Sequence, residues 1–336
     1  MSAFASLLLF MPTGPAPETQ PIPEALAPYV VDGKLRIDDF GWMRGAFDGA
    51  DDQQKASWLE IRTWSDKCYE TTKVLAIAEL EALGVKDVSL KGAPLGTPLC
   101  SSIFSYNAMQ RPTLNWDDFV ANEKEARIIF QGFSYGARMA AQSAPYDPAW
   151  GSETAWKLMG ATVLDQAYRK GQNWTIADGA PVVRDKLKPY LNAHFAAAFV
   201  QEDHKNTAKL KAIIDKSGWP SISAVGKQAS FSAWLLVQHA DHDPAFQLKA
   251  LRLMEPLAAK GDVSKRNYAY LYDRVHLKLN GKQRFGTQFG GCDGGDYKLQ
   301  PLEDGKRLDE LRIAHDLEPI SEYRDTMKKH AGPCRE

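Results

Sequence analysis

Residues 228–258 read QASFSAWLLVQHADHDPAFQLKALRLMEPLA, and this stretch decides the fold class. Gln228 to Ala240 is apolar, with Phe231, Trp234, Leu235 and Gln238 at helical spacing. Asp243-Pro244 then reads as a helix start: the Asp side chain accepts from free N–H groups of the first turn, and Pro fits a position where its own N–H is not needed. Leu248, Leu251, Met254 and Leu257 or Ala258 follow at three- to four-residue steps and mark one buried face. Two helices joined by the polar corner Gln238-His239-Ala240-Asp241-His242-Asp243 are expected.

Working outward, the same period continues on both sides. Asp51 to Leu83 reads as one long helix or two, with Ile61, Trp64, Cys68, Leu75, Ala78 and Ala82 on its buried face and Gly84 ending it. Residues 86–117 carry Gly92, Pro94, Gly96, Pro98 and Pro112 and read as irregular. Asn122 to Ser143 is helical, and Pro145-Tyr146-Asp147-Pro148 breaks the chain and sets a domain boundary. Thr154 to Lys170 and Pro181 to Ile214 are helical, the latter stopped by Gly218-Trp219-Pro220. Ser264 opens a helix with Tyr268, Leu271, Tyr272 and Val275 on one side. The period then changes. His276 to Phe285, turning at Asn280-Gly281, reads as a hairpin, and Thr287–Phe289 with Tyr297–Gln300 adds strand around the loop Gly290–Asp296. Asp304 and Pro319 start two last helices. The expectation is an α+β fold, mainly α-helical, in two domains (30–150 and 151–330), with a small antiparallel β-meander in the second.

The 336 residues carry 41 Lys+Arg against 42 Asp+Glu, a balance that argues against a polyphosphate or anionic-membrane partner. Nine Trp are spread evenly with no basic stripe between them, so no nucleic-acid partner is expected; a small-molecule or peptide ligand is. No run approaches the length of a membrane span. Phe4 to Met11 is apolar and sits where a signal-peptide core would sit, with Gly14 and Ala16 as small residues at a cleavage site, although no Lys or Arg precedes it. Residues 1–29 therefore read as a signal peptide and Pro-rich linker, and the protein as periplasmic or secreted, with a disordered leader on a cytoplasmic protein as the alternative. Cys68, Cys100, Cys292 and Cys334 lack any C-x-x-C pair, which removes zinc-ribbon and thioredoxin-type readings. Their sequence-local pairing is Cys68–Cys100 and Cys292–Cys334, one of three connectivities, against the alternative of four reduced thiols.

Trp219-Pro220-Ser221, the run Ala233 to Asp241 with Asp243-Pro244-Ala-Phe-Gln247, and Tyr270-Leu-Tyr-Asp-Arg274 carry a resemblance. Gly286-Thr-Gln288, Pro301–Asp304, Leu317–Pro319 and Ser321–Tyr323 continue it, and Asp165-Gln166 with Arg169 looks like its opening element. From about Thr154 to Met327 the chain resembles a bacterial family classed only as a domain of unknown function. The resemblance implies a domain boundary and no mechanism.

The polar corner holds the first candidate chemistry. His239 or His242 can serve as acid or base, and Asp241 can orient an imidazole. Lying three apart, the two His could also reach one metal, but Asp243 already has a capping task, and neither metal nor cofactor is assigned. A second group, Asp273, Arg274, Arg284, Thr287 and Gln288 with Asp165 and Arg169, is the expected substrate-binding set, an Arg taking a carboxylate or phosphate through two parallel hydrogen bonds. The competing reading of Asp273 to Gln288 is a buried network that fixes a hairpin onto the helices. A hydrolase or group-transfer enzyme is the leading expectation, with His239 as acid/base, Asp241 as its orienter, and Arg274 with Gln288 on the substrate. A non-enzymatic envelope binding or interaction module is the alternative. Gly132-Phe133-Ser134-Tyr135-Gly136 offers a second alternative, a serine hydrolase with His315 or His330 as base, but the residues before it read as helix rather than strand.

Overall fold

Long helices organise the chain, and the first of them is started by a reciprocal cap. The computed structural model describes residues 21–90, 94–110, 113–143, 151–172, 182–293, 295–331 and 334. The expected signal peptide and the breaker at 145–148 lie outside the described residues. After a short antiparallel pair, β1 (Val30–Val31) and β2 (Lys34–Leu35), comes α1 (Asp52–Ala82). Asp51 accepts from the N–H of Gln54 at 2.8 Å while the Gln54 side chain accepts from the N–H of Asp51 at 3.1 Å, a reciprocal cap. α2 (Pro98–Asn107) follows, then α3 (Trp116–Ser143), α4 (Glu153–Gln172) and α5 (Lys188–Ser217). The short α6 (Ile222–Val225) leads into α7 (Lys227–Gln238), α8 (Pro244–Ala259) and α9 (Lys265–Asn280). β3 (Phe289–Asp293) and β4 (Asp296–Leu299) pair antiparallel, and α10 (Leu308–Ala314) and α11 (Ile320–Ala331) close the chain. The fold is thus mainly α with a small antiparallel β part.

Several elements differ from the sequence reading. His276 to Asn280 continues α9, and Gly281, at φ 74°, is its left-handed cap, its N–H donating to Leu277 O at 3.1 Å. Asn-Gly serves a helix C-terminus as well as a hairpin turn, because both need φ above zero. Leu279 extends the Tyr268–Leu271–Tyr272–Val275 stripe into the core, and burial of that stripe outweighs the local alternation. Among the described residues of the second half, the expected meander is therefore reduced to the antiparallel pair β3–β4. α2 lies inside the stretch read as irregular: Thr97 caps it, accepting from Cys100 N at 3.3 Å, with Pro98 in its first turn. On α7 the core face carries the small residues Ala229 and Ala233 with Leu236 and Val237, while Phe231 is 41% exposed. Small side chains let neighbouring helices approach closely; Trp234 packs against the edge of that core and against Tyr270, and Phe231 packs on Trp234 from outside.

Buried residues form two clusters. One gathers around α7, α8 and α9; the other holds Phe40, Trp42, Phe119, Tyr190 and Phe195. α1, α4 and α5 feed both: Leu80, Leu158 and Leu210 enter the first, and Ile61, Tyr168 and Leu191 the second. At 31, 20 and 30 residues these helices are long enough, at about 1.5 Å per residue, to contribute side chains to both clusters. α4 and α5 touch closely at Gly171, where an added Cβ would overlap the Phe195 ring. Disulfides join Cys68 on α1 to Cys100 on α2 and Cys292 on β3 to Cys334, the sequence-local pairing. No helix among the described residues is long and apolar enough to cross a membrane.

Candidate functional site

A cavity of about 1120 Å³ opens where α4, α5 and the α7–α8 corner meet α1 and α2. One end is polar, lined by Arg169, Asp203, His204, His239, Asp241, His242 and Arg274. α7 stops at Gln238, and His239 caps it with its backbone N–H bonded to Leu235 O at 3.2 Å, so the imidazole projects from a helix terminus. On α4, Asp165 and Arg169 are four apart and share a face. Asp203 comes from α5.

Asp165 is fully buried and its carboxylate lies 2.8 and 3.0 Å from His239 Nδ1. A carboxylate oxygen can only accept, so the bond to Asp165 puts a hydrogen on Nδ1, which then cannot also accept from Arg169 Nε, 3.1 Å away; in the neutral ring of this tautomer Nε2 is the basic nitrogen. Nε2 has no hydrogen-bond partner among the described residues. Burial raises the pKa of Asp165, but the hydrogen bond and charge of His239 and the guanidinium of Arg169 outweigh it and hold the carboxyl below its ordinary value. Arg169 Nη2 donates to both oxygens of Asp203 at 2.7 and 2.8 Å, and its guanidinium lies 4.6 Å from the centre of the Phe199 ring. Asp203 is pushed up to about 9: burial dominates and the Asp165 and Asp241 charges add to it, against the pull of Arg169.

Asp165, Asp203 and His239 each place a ligand atom within 4.8 Å of the others, a geometry able to hold a metal ion. Arg169 already sits among them, its Nε 3.1 Å from His239 Nδ1 and 3.6 Å from Asp165. That guanidinium already supplies a positive charge beside Asp165 and Asp203, the position a metal ion would take.

Asp241 has a different role from the expected one. It does not orient His239; Arg274 donates to it through Nε at 2.8 Å and through Nη2, Lys278 donates through Nζ, and Gln247 donates at 3.2 Å. Burial would raise its carboxyl, but Lys278 and Arg274 hold it well below the carboxylate range, while burial lowers Lys278 to about 8 against the attraction of Asp241. His242 stacks on His204, ring centroids 3.7 Å apart, and burial pushes them down to about 4 and about 3, leaving both neutral at pH 7. His239 and His242 therefore do not converge on one point, because the chain has left the helix between them.

The second sequence group separates from the cavity. Asp273 is buried and accepts four hydrogen bonds, from the N–H groups of Arg284, Phe285 and Thr287 at 2.7, 2.9 and 2.9 Å and from Thr287 Oγ1 at 2.9 Å. Gln283 spans the same loop, donating to Gln288 O and Gln300 O at 2.9 Å each. This is the buried network that ties the loop after α9 onto the helices. Thr287 and Gln288 line a separate pocket of about 400 Å³, and Arg284 pairs with Glu303 at 2.8 Å. Of the expected substrate-binding set, Arg169 and Arg274 line the large cavity; Asp165 stands behind His239.

Ser134 lies in the interior of α3, buried, 2.9 Å from the hydroxyl of Tyr168. The strand-to-helix turn that would expose a nucleophile is absent there, and His315 packs against Tyr268 and Phe285 instead. The side chain of His330 lies outside the described residues.

Sequence reasoning missed Asp203 and His204. They sit in Gln201-Glu-Asp-His-Lys-Asn206, which reads as a solvated helix face; only the three-to-four spacing of Ala196, Phe199 and Asp203 along α5 places them on the cavity wall.

No curated protein and no solved structure matches the chain. A family model described as a family of unknown function, DUF6624, matches residues 160–332, just over half of the chain, and these residues include every polar group named at the cavity's polar end. The chain belongs to the DUF6624 family.

Proposed function

We propose that the protein is a hydrolase or group-transfer enzyme acting at a carboxylic ester or amide, with His239 as its acid–base group. One observation carries the reading: Asp165 holds Nδ1 of His239 from a buried position, and His239 lines a large cavity with no hydrogen bond at Nε2 among the described residues. A carboxylate behind an imidazole selects the tautomer whose far nitrogen is basic and stabilises the imidazolium that forms when it takes a proton.

In the hydrolytic form, Nε2 removes a proton from water as the water oxygen bonds to the carbonyl carbon. The carbonyl π pair moves onto oxygen. That pair then reforms the C=O bond, the bond to the leaving alcohol or amine breaks, and the imidazolium returns its proton to the leaving atom. An acceptor alcohol in place of water makes the same sequence a transfer. Arg169 and Arg274 both line the cavity, and Nη1 of each has no hydrogen-bond partner among the described residues, so either can stabilise the developing oxyanion.

The disulfides support an extracytoplasmic site of action, periplasmic or secreted, since such bridges persist where the surroundings are oxidising. A binding or interaction module is the competing class, and turnover separates the two. Purified protein is assayed with 4-nitrophenyl esters, wild type against His239→Gln. The expected result is turnover above the buffer rate that falls by about 10²- to 10⁴-fold in the variant, with an unchanged melting temperature. Absence of wild-type turnover, or a variant as fast as wild type, overturns the reading.

A further inference from the structure

The cavity has two walls of different origin. His239, Asp203, Arg169 and Arg274 lie within the stretch that matches the family, whereas Tyr69 of α1 and Phe104 of α2 lie outside it. We propose that the α1–α2 wall selects the substrate, admitting one whose acyl group carries an apolar arm directed away from His239; this rests on the ester or amide reading above.

Phe104 lines the cavity yet is 69% exposed, packed edge-on to Tyr69 with ring centroids 6.0 Å apart. A large aromatic side chain left open at the rim of a cavity is surface that a ligand can cover. Across from it, Phe199 and Val200 of α5 continue an apolar surface, and Phe199 also carries the guanidinium of Arg169 on its face. Apolar side chains of α1, α2 and α5 thus line the same cavity as the polar groups. A volume of about 1120 Å³ far exceeds what a small polar ester needs, and belongs with sites that enclose a sizeable apolar ligand around a few placed polar groups.

The wall is also held in place. Cys68 and Cys100 are bridged, and their immediate neighbours Tyr69 and Ser101 both line the cavity. The cross-link sets the distance between α1 and α2 at the point where the arm would lie. The chemistry thus comes from the family-matched residues and the selection from residues that precede them.

The test compares 4-nitrophenyl octanoate with 4-nitrophenyl acetate, in wild type, Phe104→Ala and Phe104→Leu. Wild type is expected to prefer octanoate in kcat/KM by at least tenfold. Phe104→Ala should cut that preference roughly tenfold, mainly through KM for octanoate, and Phe104→Leu should restore most of it. A parallel titration calorimetry experiment in His239→Gln uses octanoate and acetate ions as product analogues and needs no turnover. Tighter binding of octanoate, weakened by adding Phe104→Ala, supports the wall. Equal binding of the two ions, or a preference indifferent to Phe104, overturns it. Chain-length-dependent binding without wild-type turnover overturns the acid–base reading alone.

Discussion

The imidazole of His239 and the carboxylate of Asp165 meet at 2.8 Å across a gap of 74 residues in sequence, one at the end of α7 and the other buried on α4. Asp165→Asn keeps the shape and removes the charge that stabilises the imidazolium. On the proposed mechanism, kcat for 4-nitrophenyl esters falls by roughly 10²-fold or more with KM little changed. Steady-state kinetics check this, and an unchanged kcat would make Asp165 a purely structural partner.

Asp241 is predicted to act on stability. Removing its charge by Asp241→Asn leaves Arg274 and Lys278 without their shared counter-ion, at a cost of about 3–5 kcal/mol. The folded protein holds this carboxyl well below its ordinary 3.8, so the unfolded chain takes up the proton first. Its contribution is fully present above about pH 4 and is lost as pH falls toward the folded-state value. Urea midpoints measured from pH 7 down to pH 3 should decline less steeply in the variant; parallel curves would remove Asp241 from the acid limb.

Asp273 should matter in a different way. Asp273→Ala strands three backbone N–H groups and the Thr287 hydroxyl in a buried loop, and is expected to cost at least about 3 kcal/mol. Asp273→Asn keeps an acceptor oxygen and should cost less. Chemical denaturation checks the order of the two variants. Ester turnover per folded molecule should not change, because this loop lies outside the large cavity.

Gly171 is expected to reject a side chain. Gly171→Ala drives a Cβ into the Phe195 ring between α4 and α5, costing about 1–3 kcal/mol. Adding Phe195→Leu should recover part of that loss, giving a coupling of at least about 0.5 kcal/mol in a double-mutant cycle. Additive losses would place the strain elsewhere.

Ser134 should be inert toward a fluorophosphonate probe, and Ser134→Ala should lose about 1 kcal/mol with its bond to Tyr168 and nothing in ester turnover. Labelling at Ser134, read by mass spectrometry of the intact and digested protein, would contradict its position inside α3.

Much of the helical framework is readable from local chemistry. Asp51, Asp243 and Ser264 start helices by accepting from the first turn, and those starts appear where their spacing puts them. Thr97-Pro98 is the same kind of signal, hidden among neighbouring prolines and glycines. Faces were harder to assign than helices. On α8 the Leu248–Leu251–Met254 stripe is buried as spaced, but on α7 alanines take the core because close helix contact favours small side chains.

The sequence alone determined the mainly helical class and the polar corner at His239, because caps and period act over a few residues; it offered Cys68–Cys100 and Cys292–Cys334 as one of three connectivities, and the structure selects that one. Tertiary structure alone decided which carboxylate serves which partner. Asp241, two residues from His239, turns to Arg274 and Lys278, and Asp165, far away in sequence, takes the imidazole. A buried charge goes to whichever counter-ion packing brings within reach, and in a helical protein that partner is carried on another helix.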